Sequence, residues 1–139
     1  YLVTLVERKT LYCLVRLMPN LKPETLNQAV VKAFQGIPTA MRRTITCDNG
    51  VEFASFKHLQ TALGCPIYFA HPYAAWERGI NENTNGLLRQ FIPRKTNLNS
   101  INQSQVDQYS KILNSRPRRK LNYQTPNEVF LNACVALQR

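Results

Sequence analysis

The chain has 139 residues, enough for one domain that buries about two thirds of its unfolded surface. Its formal net charge of +10 and its pI near 9.9 indicate a polyanionic partner. Nucleic acid fits better than a membrane, because no apolar run approaches the roughly 18 residues that span a bilayer. We find no signal-peptide pattern, internal repeat or composition break, so residues 1–139 are expected to form one domain.

The first half of the chain is predicted to alternate strands and helices, which gives an α/β fold with a mixed sheet flanked by helices. Two apolar, β-branched runs joined by a short polar turn predict an antiparallel hairpin. Apolar residues at helical spacing after a proline predict the first helix. In chain order the predicted elements are strands Leu2–Val6 and Leu11–Leu17, a helix from Pro23, strand Thr44–Cys47, a helix from Ser55 to Gly64, and strand Pro66–Ala70.

The second half is predicted to be helical, with an aromatic loop in front of it. The loop contains His71, Tyr73 and Trp76. These rings either pack beneath the loop, which we favour, or stack on splayed bases. Side-chain caps are expected at the start of each following helix, because they satisfy exposed backbone N–H groups. The predicted caps are Asn81 for the helix that carries Glu82 and ends by Pro93, Ser104 for the next helix, and a Thr125–Glu128 capping box for the last.

Two acids stand out in a chain that has only eight. Asp48 follows the strand at Thr44–Cys47, Glu82 lies on a helix, and 33 residues separate them. Oxygen ligands from a strand end and a helix can converge on one hard cation. Two such cations about 4 Å apart can stabilise both the attacking and the leaving oxygen of a phosphate. Singly, Asp48 is explained by an Asx turn and Glu82 by a helix first turn; together they favour a metal site.

Basic residues concentrate downstream of the acids. Glu82, Asn85, Gly86 and Arg89 share one helix face, on which a phosphate could approach the glycine and the guanidinium. Arg94 and Lys95 extend it, and the sequence 116–120 is the densest charge cluster. A solvated basic turn is the alternative there, but the net charge favours phosphate contacts. The predicted DNA-binding residues are Arg78, Asn81, Asn85, Arg89, Lys95, Arg116, Arg118 and Arg119.

The cysteines are widely separated and form no CxxC pair. Three of them lie in or beside apolar segments, which suits buried, reduced thiols in a cytosolic protein. A zinc site is conceivable but lacks the usual ligand spacing. Its ligands would be Cys47, Cys65, His58 and His71.

Three stretches of the sequence resemble one known family. They read DNGVEF, HPYAAWERGINENTNGLLRQFIPRKT and LNSRPRRKLNYQTPNEVF, and they are similar to segments of the catalytic core of insertion-sequence-thirty transposases. These belong to the DDE transposases and integrases, which share a ribonuclease-H-like fold. The resemblance runs from LVTLVERKT onward and makes Asp48 the second acid and Glu82 the third acid of the catalytic triad.

The resemblance also implies an activity and its partners. It implies DNA cleavage at element ends and strand transfer, with two Mg²⁺ or Mn²⁺ ions held by Asp48 and Glu82. The resemblance implies that DNA is the partner and that the protein acts on it as a homo-oligomer. It also implies a location in the bacterial cytoplasm, at the nucleoid. The first acid and the central first strand are expected upstream of Tyr1. The chain alone is therefore expected to be inactive and either unstable or aggregation-prone, and the upstream segment is expected to restore both activity and stability.

Two rival functions remain open. One is a ribonuclease-H-like nuclease such as a junction resolvase, and the other is a truncated or domesticated transposase that binds DNA without cutting it. Two structural expectations follow from the preferred interpretation. The carboxylates of Asp48 and Glu82 should lie roughly 4–8 Å apart. Strands Leu2–Val6 and Thr44–Cys47 should lie about 9–10 Å apart, two strand spacings, with no direct pairing.

Overall fold

A computed structural model describes residues 1–47, 51–71 and 79–137 of the chain. The strands in these ranges are Leu2–Val6 (β1), Cys13–Leu17 (β2), Ile45–Cys47 (β3) and Ile67–Phe69 (β4). The α-helices are Pro23–Phe34 (α1), Phe56–Leu63 (α2), Gly79–Leu88 (α3), Gln103–Asn114 (α4) and Pro126–Leu137 (α5). The order of elements confirms the predicted alternation of strands and helices in the first half.

The first two helices begin at the predicted positions. Helix α1 begins with Pro23, whose fixed φ suits the first helical position, and it buries Leu26, Ala29 and Val30 on one face. Helix α2 ends at Gly64, which has a φ of 69° that glycine adopts without steric cost. Ser55 is the N-cap residue of α2 as predicted, but its side chain makes no capping hydrogen bond.

The predicted cap of α4 was wrong. Asn102, not Ser104, is the N-cap: its side chain accepts a hydrogen bond from the Gln105 N–H at 2.9 Å. The Gln105 side chain in turn accepts from the Asn102 N–H at 3.0 Å, which closes a capping box. The reciprocal pair satisfies two backbone donors, whereas a serine cap at position 104 would satisfy one.

The predicted start and end of α3 were also wrong. The helix begins at Gly79, so Asn81 lies within its first turn and does not cap it. It ends at Leu88, five residues before Pro93, and single turns lead the chain onward. The last helix does start as predicted, because Thr125 and Glu128 exchange side-chain-to-backbone hydrogen bonds of 2.8 and 3.2 Å.

The described strands form two separate pairs. Strand β1 pairs antiparallel with β2, with Thr4 opposite Val15, and β3 pairs parallel with β4, with Thr46 opposite Tyr68. No ladder joins β1 to β3 within the described residues. This confirms the expectation that the two strands are not direct neighbours.

The inner edges of the two strand pairs carry backbone groups that point away from their partners. The pairs Tyr1–Met18 and Glu7–Tyr12 are hydrogen-bonded across the hairpin, so by the antiparallel alternation Leu2, Thr4 and Val6 direct their N–H and C=O groups to the other side. In the second pair, the Ile45 N–H donates to the Pro66 carbonyl and the Cys47 carbonyl accepts from Ala70. Thr46 between them therefore faces away from β4.

The outer edges, by contrast, are covered by amide side chains of helices. Asn114 of α4 accepts from the Cys13 N–H and donates to the Cys13 carbonyl, both at 2.9 Å. Gln103, three turns earlier on α4, accepts from the Leu17 N–H at 2.8 Å and donates to the Val15 carbonyl at 2.9 Å. On β4, Gln60 of α2 accepts from the Ile67 N–H at 3.0 Å. Such cover prevents further strands from adding at the outside of the sheet.

The two faces of the hairpin pack against different helices. One core lies under α1 and α2 and includes Leu26, Leu59 and Ile67, with Val3 and Leu5 packed against it. The second core lies under α3 and α4 and includes Val15, Leu88, Ile92, Val106 and Leu113. No helix of the described residues is long and apolar enough to cross a membrane.

Candidate active site and DNA-binding surface

A cavity of about 860 Å³ lies between β1 and β3, which we call the slot. One wall is the segment from Leu2 to Lys9 and the other is the segment from Arg42 to Cys47. The inner strand edges described above therefore open into the slot. Helix α3 contributes Glu82 and Asn85 to its lining, and Arg89, directly after the helix, lines it as well. The slot is thus bounded both by unpaired strand edges and by the predicted catalytic face of α3.

Glu82 is exposed in the first turn of α3. Asp48 lies outside the described residues, so the predicted approach of the two carboxylates stays a prediction. Cys47, which precedes Asp48, lines the same cavity as Glu82. Glu52 also lines it, so carboxylate oxygens suited to a hard cation are present at its wall.

Glu7, a further acid at the slot, is already engaged by its own turn. Its two carboxylate oxygens accept hydrogen bonds from the backbone N–H groups of Lys9 at 3.1 Å and Thr10 at 2.7 Å. These bonds fold the hairpin turn of which Glu7 is part. A metal ligand at this position would have to give them up, so Glu7 is a poor candidate for a catalytic acid.

The remaining candidates on α3 differ in their contacts. The Asn81 amide donates to the Thr4 carbonyl at 3.4 Å, so it contacts the inner edge of β1. Asn85 and Arg89 are exposed and line the slot together with Glu82. Lys95 is exposed beyond α3 with a φ of 68°. Arg78 lies outside the described residues.

Arg116 is held in place by its neighbours. Its guanidinium donates to the Gln90 side chain at 2.8 Å and lies 5.3 Å from the centre of the Phe91 ring. That ring is itself stacked on Tyr109, with centroids 5.1 Å apart. The contacts fix the arginine over an aromatic pair, which favours a cation–π interaction and leaves part of the side chain accessible.

Arg118 and Arg119 have different environments although they are adjacent. Arg118 is half-buried, its guanidinium donates to the Leu113 carbonyl at 3.4 Å, and its Nε is buried without a hydrogen bond. Arg119 and Lys120 are exposed. Arg118 therefore covers the end of α4, whereas Arg119 and Lys120 face the solvent.

The cysteines do not assemble a metal site. Among residues 1–47, 51–71 and 79–137 no group of three or more His, Cys, Asp or Glu side chains could hold a metal ion. The zinc candidates Cys47, Cys65, His58 and His71 all fall in these ranges and are not gathered at one point. Burial raises the pKa of the Cys13 thiol to about 11, against the opposing effect of the Arg118 charge.

Two features were missed by the sequence analysis. The amide cover of the outer strand edges by Gln60, Gln103 and Asn114 has no local signal, because Asn114 and Cys13 are 101 positions apart. Tyr123 is the other: it is 71% exposed, more than any other large apolar or aromatic residue of the described chain. Its position three residues after the basic cluster at 116–120 was the available signal.

The fold has solved counterparts among integrases. The catalytic core domain of BIV integrase superposes with a TM-score of 0.75 at 16% identity, over 99% of this chain and 90% of that one. A chain of the simian T-cell lymphotropic virus intasome superposes with a TM-score of 0.69 at 20% identity, over 90% of this chain and 46% of that one. The chain therefore has the ribonuclease-H-like fold of integrase catalytic cores, as predicted.

Sequence relatives identify the family. The chain is 43% identical over 129 residues to a probable transposase for the insertion-like sequence element IS1161 of Streptococcus salivarius, covering 93% of this chain and 36% of the relative. It is 37% identical over 130 residues to transposase InsI for IS30A of Escherichia coli K12, covering 94% and 34%. No family model matches the chain. The chain is similar to the insertion-sequence-thirty transposases over nearly its whole length and spans about a third of the length of these curated relatives.

Proposed function

We propose that this chain is the larger part of the catalytic core of a DDE transposase, which cleaves DNA at element ends and joins the freed ends to target DNA. The observation that carries the proposal is the slot, where the end of β3 and the exposed Glu82 line one cavity. The named transposase relatives support the same reaction class. We refer below to the complete transposase that contains this chain as the intact protein.

In this proposal Asp48 and Glu82 hold two Mg²⁺ or Mn²⁺ ions at the slot. Bound there, the ions would stabilise the charge on the attacking and leaving oxygens of a phosphodiester. The chain's own residues position the DNA. Arg89 offers a planar guanidinium to a phosphate beside Glu82, and the exposed Asn85 offers an amide on the same helix face. Glu82 can rotate towards a ligand without breaking an existing ion pair of the described residues.

The slot itself is proposed to take a fifth strand, which would pair with both β1 and β3. The strand edges support this proposal, because Leu2, Thr4, Val6 and Thr46 direct backbone groups into the slot. By the family pattern that strand carries the first acid of the triad. The extended core, meaning this chain with the preceding segment of the intact protein, should therefore be the active unit.

The DNA partner is proposed to bind mainly through phosphates. The net charge of +10 and the exposed Arg89, Lys95 and Arg119 support a sequence-independent, salt-sensitive affinity. Arg116 is pre-positioned by Gln90 and Phe91 to join them. We further propose that the intact protein acts on DNA as a homo-oligomer within the bacterial nucleoid.

Cleavage of supercoiled plasmid DNA tests this function without knowledge of the element ends. The extended core should nick the plasmid with Mg²⁺ or Mn²⁺ and lose activity with a chelator. Glu82→Gln should reduce the rate by more than about 100-fold, since even changes behind a metal ligand cost 10–100-fold. Glu24→Gln is the matched control, because Glu24 is an exposed first-turn acid of α1 that does not line the slot. The 139-residue chain alone should be inactive.

The two rival functions give different results in the same assay. A ribonuclease-H-like nuclease would cut with metal but would not join a cut end to a second DNA. A non-catalytic remnant would bind DNA in a salt-dependent manner while neither the chain nor the extended core nicked it. Strand transfer that survives Glu82→Gln would contradict the proposed site.

A further inference from the structure

Tyr123 occupies a turn that is unfavourable for its side chain. Asn122 and Tyr123 have φ angles of 54° and 66°, so two successive residues adopt the left-handed conformation. Asparagine tolerates this region, but for a bulky aromatic residue it is a rare and strained one. Strain of this kind persists only where the surrounding structure enforces it.

The surrounding hydrogen bonds do enforce the turn. The Arg118 carbonyl accepts from the N–H groups of both Leu121, at 3.0 Å, and Tyr123, at 2.8 Å. The Arg118 N–H donates to the Gln124 carbonyl at 2.9 Å, which closes the turn from the other side. Leu121 is buried, and the capping box of α5 follows directly at Thr125. The backbone that carries Tyr123 is therefore fixed at both ends.

The side chain gains nothing from this arrangement within the described structure. Tyr12 stacks on Phe130 at 4.2 Å and Tyr109 stacks on Phe91 at 5.1 Å, whereas no aromatic contact of the described residues involves Tyr123. The residue as a whole is 71% exposed. A glycine would fit the same backbone without strain, so packing and backbone geometry leave the presence of a tyrosine unexplained.

The charge around Tyr123 indicates what the ring meets. Between Asp107 and Glu128 the sequence contains no acid and five basic residues, and the exposed Arg119 and Lys120 come shortly before Tyr123. Phosphates of a nucleic acid suit those cations. A paired base within a duplex has neighbours on both faces, so an exposed ring can stack only on a base that has left the stack.

We propose that Tyr123 stacks on an unpaired DNA base while Arg119 and Lys120 contact the adjacent phosphates. The proposal rests on the proposed function, because it takes DNA as the partner, and it adds a preference for DNA whose pairing is interrupted. The strained turn is the means by which the chain holds the ring out from the surface. Tyr123 is thus a positioning residue for DNA and takes no part in the metal chemistry.

Binding of fluorescently labelled DNA to the intact protein tests the proposal. The probes are a thymidine single strand of about 20 nucleotides and a fully paired duplex of two complementary strands of similar length, both long enough to exceed one site. Tyr123→Ala should weaken single-strand binding by about 5- to 150-fold, the range of one lost base–aromatic stack. It should leave duplex binding and the salt dependence unchanged. Tyr123→Phe should bind like the unaltered protein, because it keeps the ring.

Two controls separate stacking from a structural effect. Tyr68→Ala removes another exposed ring, 57% accessible on β4, and should bind both probes normally. Tyr123→Gly should bind the single strand as weakly as Tyr123→Ala, while its thermal unfolding midpoint stays equal or rises because the strained backbone relaxes.

The outcomes that would overturn the proposal are distinct. Single-strand binding that is unaffected by Tyr123→Ala overturns the stacking role but leaves the proposed function intact. Equal weakening towards both probes, or a lower unfolding midpoint for Tyr123→Gly, shows that the ring supports the fold. If the intact protein binds neither probe, the stacking role and the proposed function fall together.

Discussion

Replacing Asn114 by alanine should show how much the amide cover of β2 contributes to stability. Asn114 is buried, and its side chain makes both hydrogen bonds to the Cys13 backbone at 2.9 Å. The substitution leaves a buried N–H and a buried C=O without partners, and each such group costs about 1–3 kcal/mol. The free energy of unfolding of the extended core should therefore fall by about 2–6 kcal/mol.

The assay is urea unfolding followed by circular dichroism, with Gln108→Ala as the control. Gln108 is exposed on the same helix, so its replacement should change the free energy of unfolding by less than about 0.5 kcal/mol. If Asn114→Ala is as harmless as the control, the two hydrogen bonds do not hold α4 to the sheet edge. The reasoning on the covered outer edges would then be refuted.

A second substitution, Asn114→Asp, adds a pH dependence of known sign. A carboxylate would still accept from the Cys13 N–H but would repel the Cys13 carbonyl, and burial would raise its pKa in the folded state above the unfolded value of about 3.9. Stability tied to such a raised pKa is present below the unfolded pKa and is lost as pH rises through the folded pKa. The deficit of this variant relative to the unaltered protein should therefore shrink as pH falls to about 4 and grow towards neutrality.

Further predictions concern the slot and the basic cluster. Thr4→Pro removes an N–H that faces the slot, whereas Leu5→Pro removes an N–H that donates to β2. In the 139-residue chain only Leu5→Pro should therefore unfold the hairpin, which circular dichroism would detect. In the extended core both substitutions should lower stability, because the fifth strand would pair with Thr4. If Thr4→Pro left the stability of the extended core unchanged, that would count against a fifth strand. Arg119→Ala should lower the slope of log affinity for duplex DNA against log salt by about one unit without changing stability. Arg118→Ala should also lower the unfolding midpoint, because its guanidinium covers the end of α4, and an unchanged midpoint would show that this contact is unimportant.

Local patterns predicted most of the elements but not all of their boundaries. Pro23 and Gly64 marked helix ends correctly, because proline and glycine act through their own backbone geometry. The sequence favours Ser104 as a cap, whereas Asn102 and Gln105 make the reciprocal pair, because several polar residues compete at that turn. Caps are decided by which side chain reaches the backbone N–H, and sequence alone does not fix that geometry.

Features that join distant parts of the chain were also predicted only in part. The separation of β1 from β3 followed from the resemblance, which supplied a sheet order that no run of residues encodes. The amide cover by Gln103 and Asn114 could not be predicted, because each contact joins positions more than 80 residues apart. Arg118 and Arg119 were indistinguishable as neighbours in a basic run, and only the fold showed that one of them turns inward.

The proposed site requires Asp48 and Glu82 to bind the same metal ions, and a double-mutant cycle on Mn²⁺ affinity tests this requirement. Calorimetric titration of the extended core should show that Asp48→Asn and Glu82→Gln each weaken Mn²⁺ binding by more than about 10-fold. If both carboxylates share the ions, the double variant should be no more than about twofold weaker than the weaker single variant, whereas independent sites would add in free energy. Losses that multiply in the double variant, or a single variant that binds Mn²⁺ normally, would contradict a shared metal site.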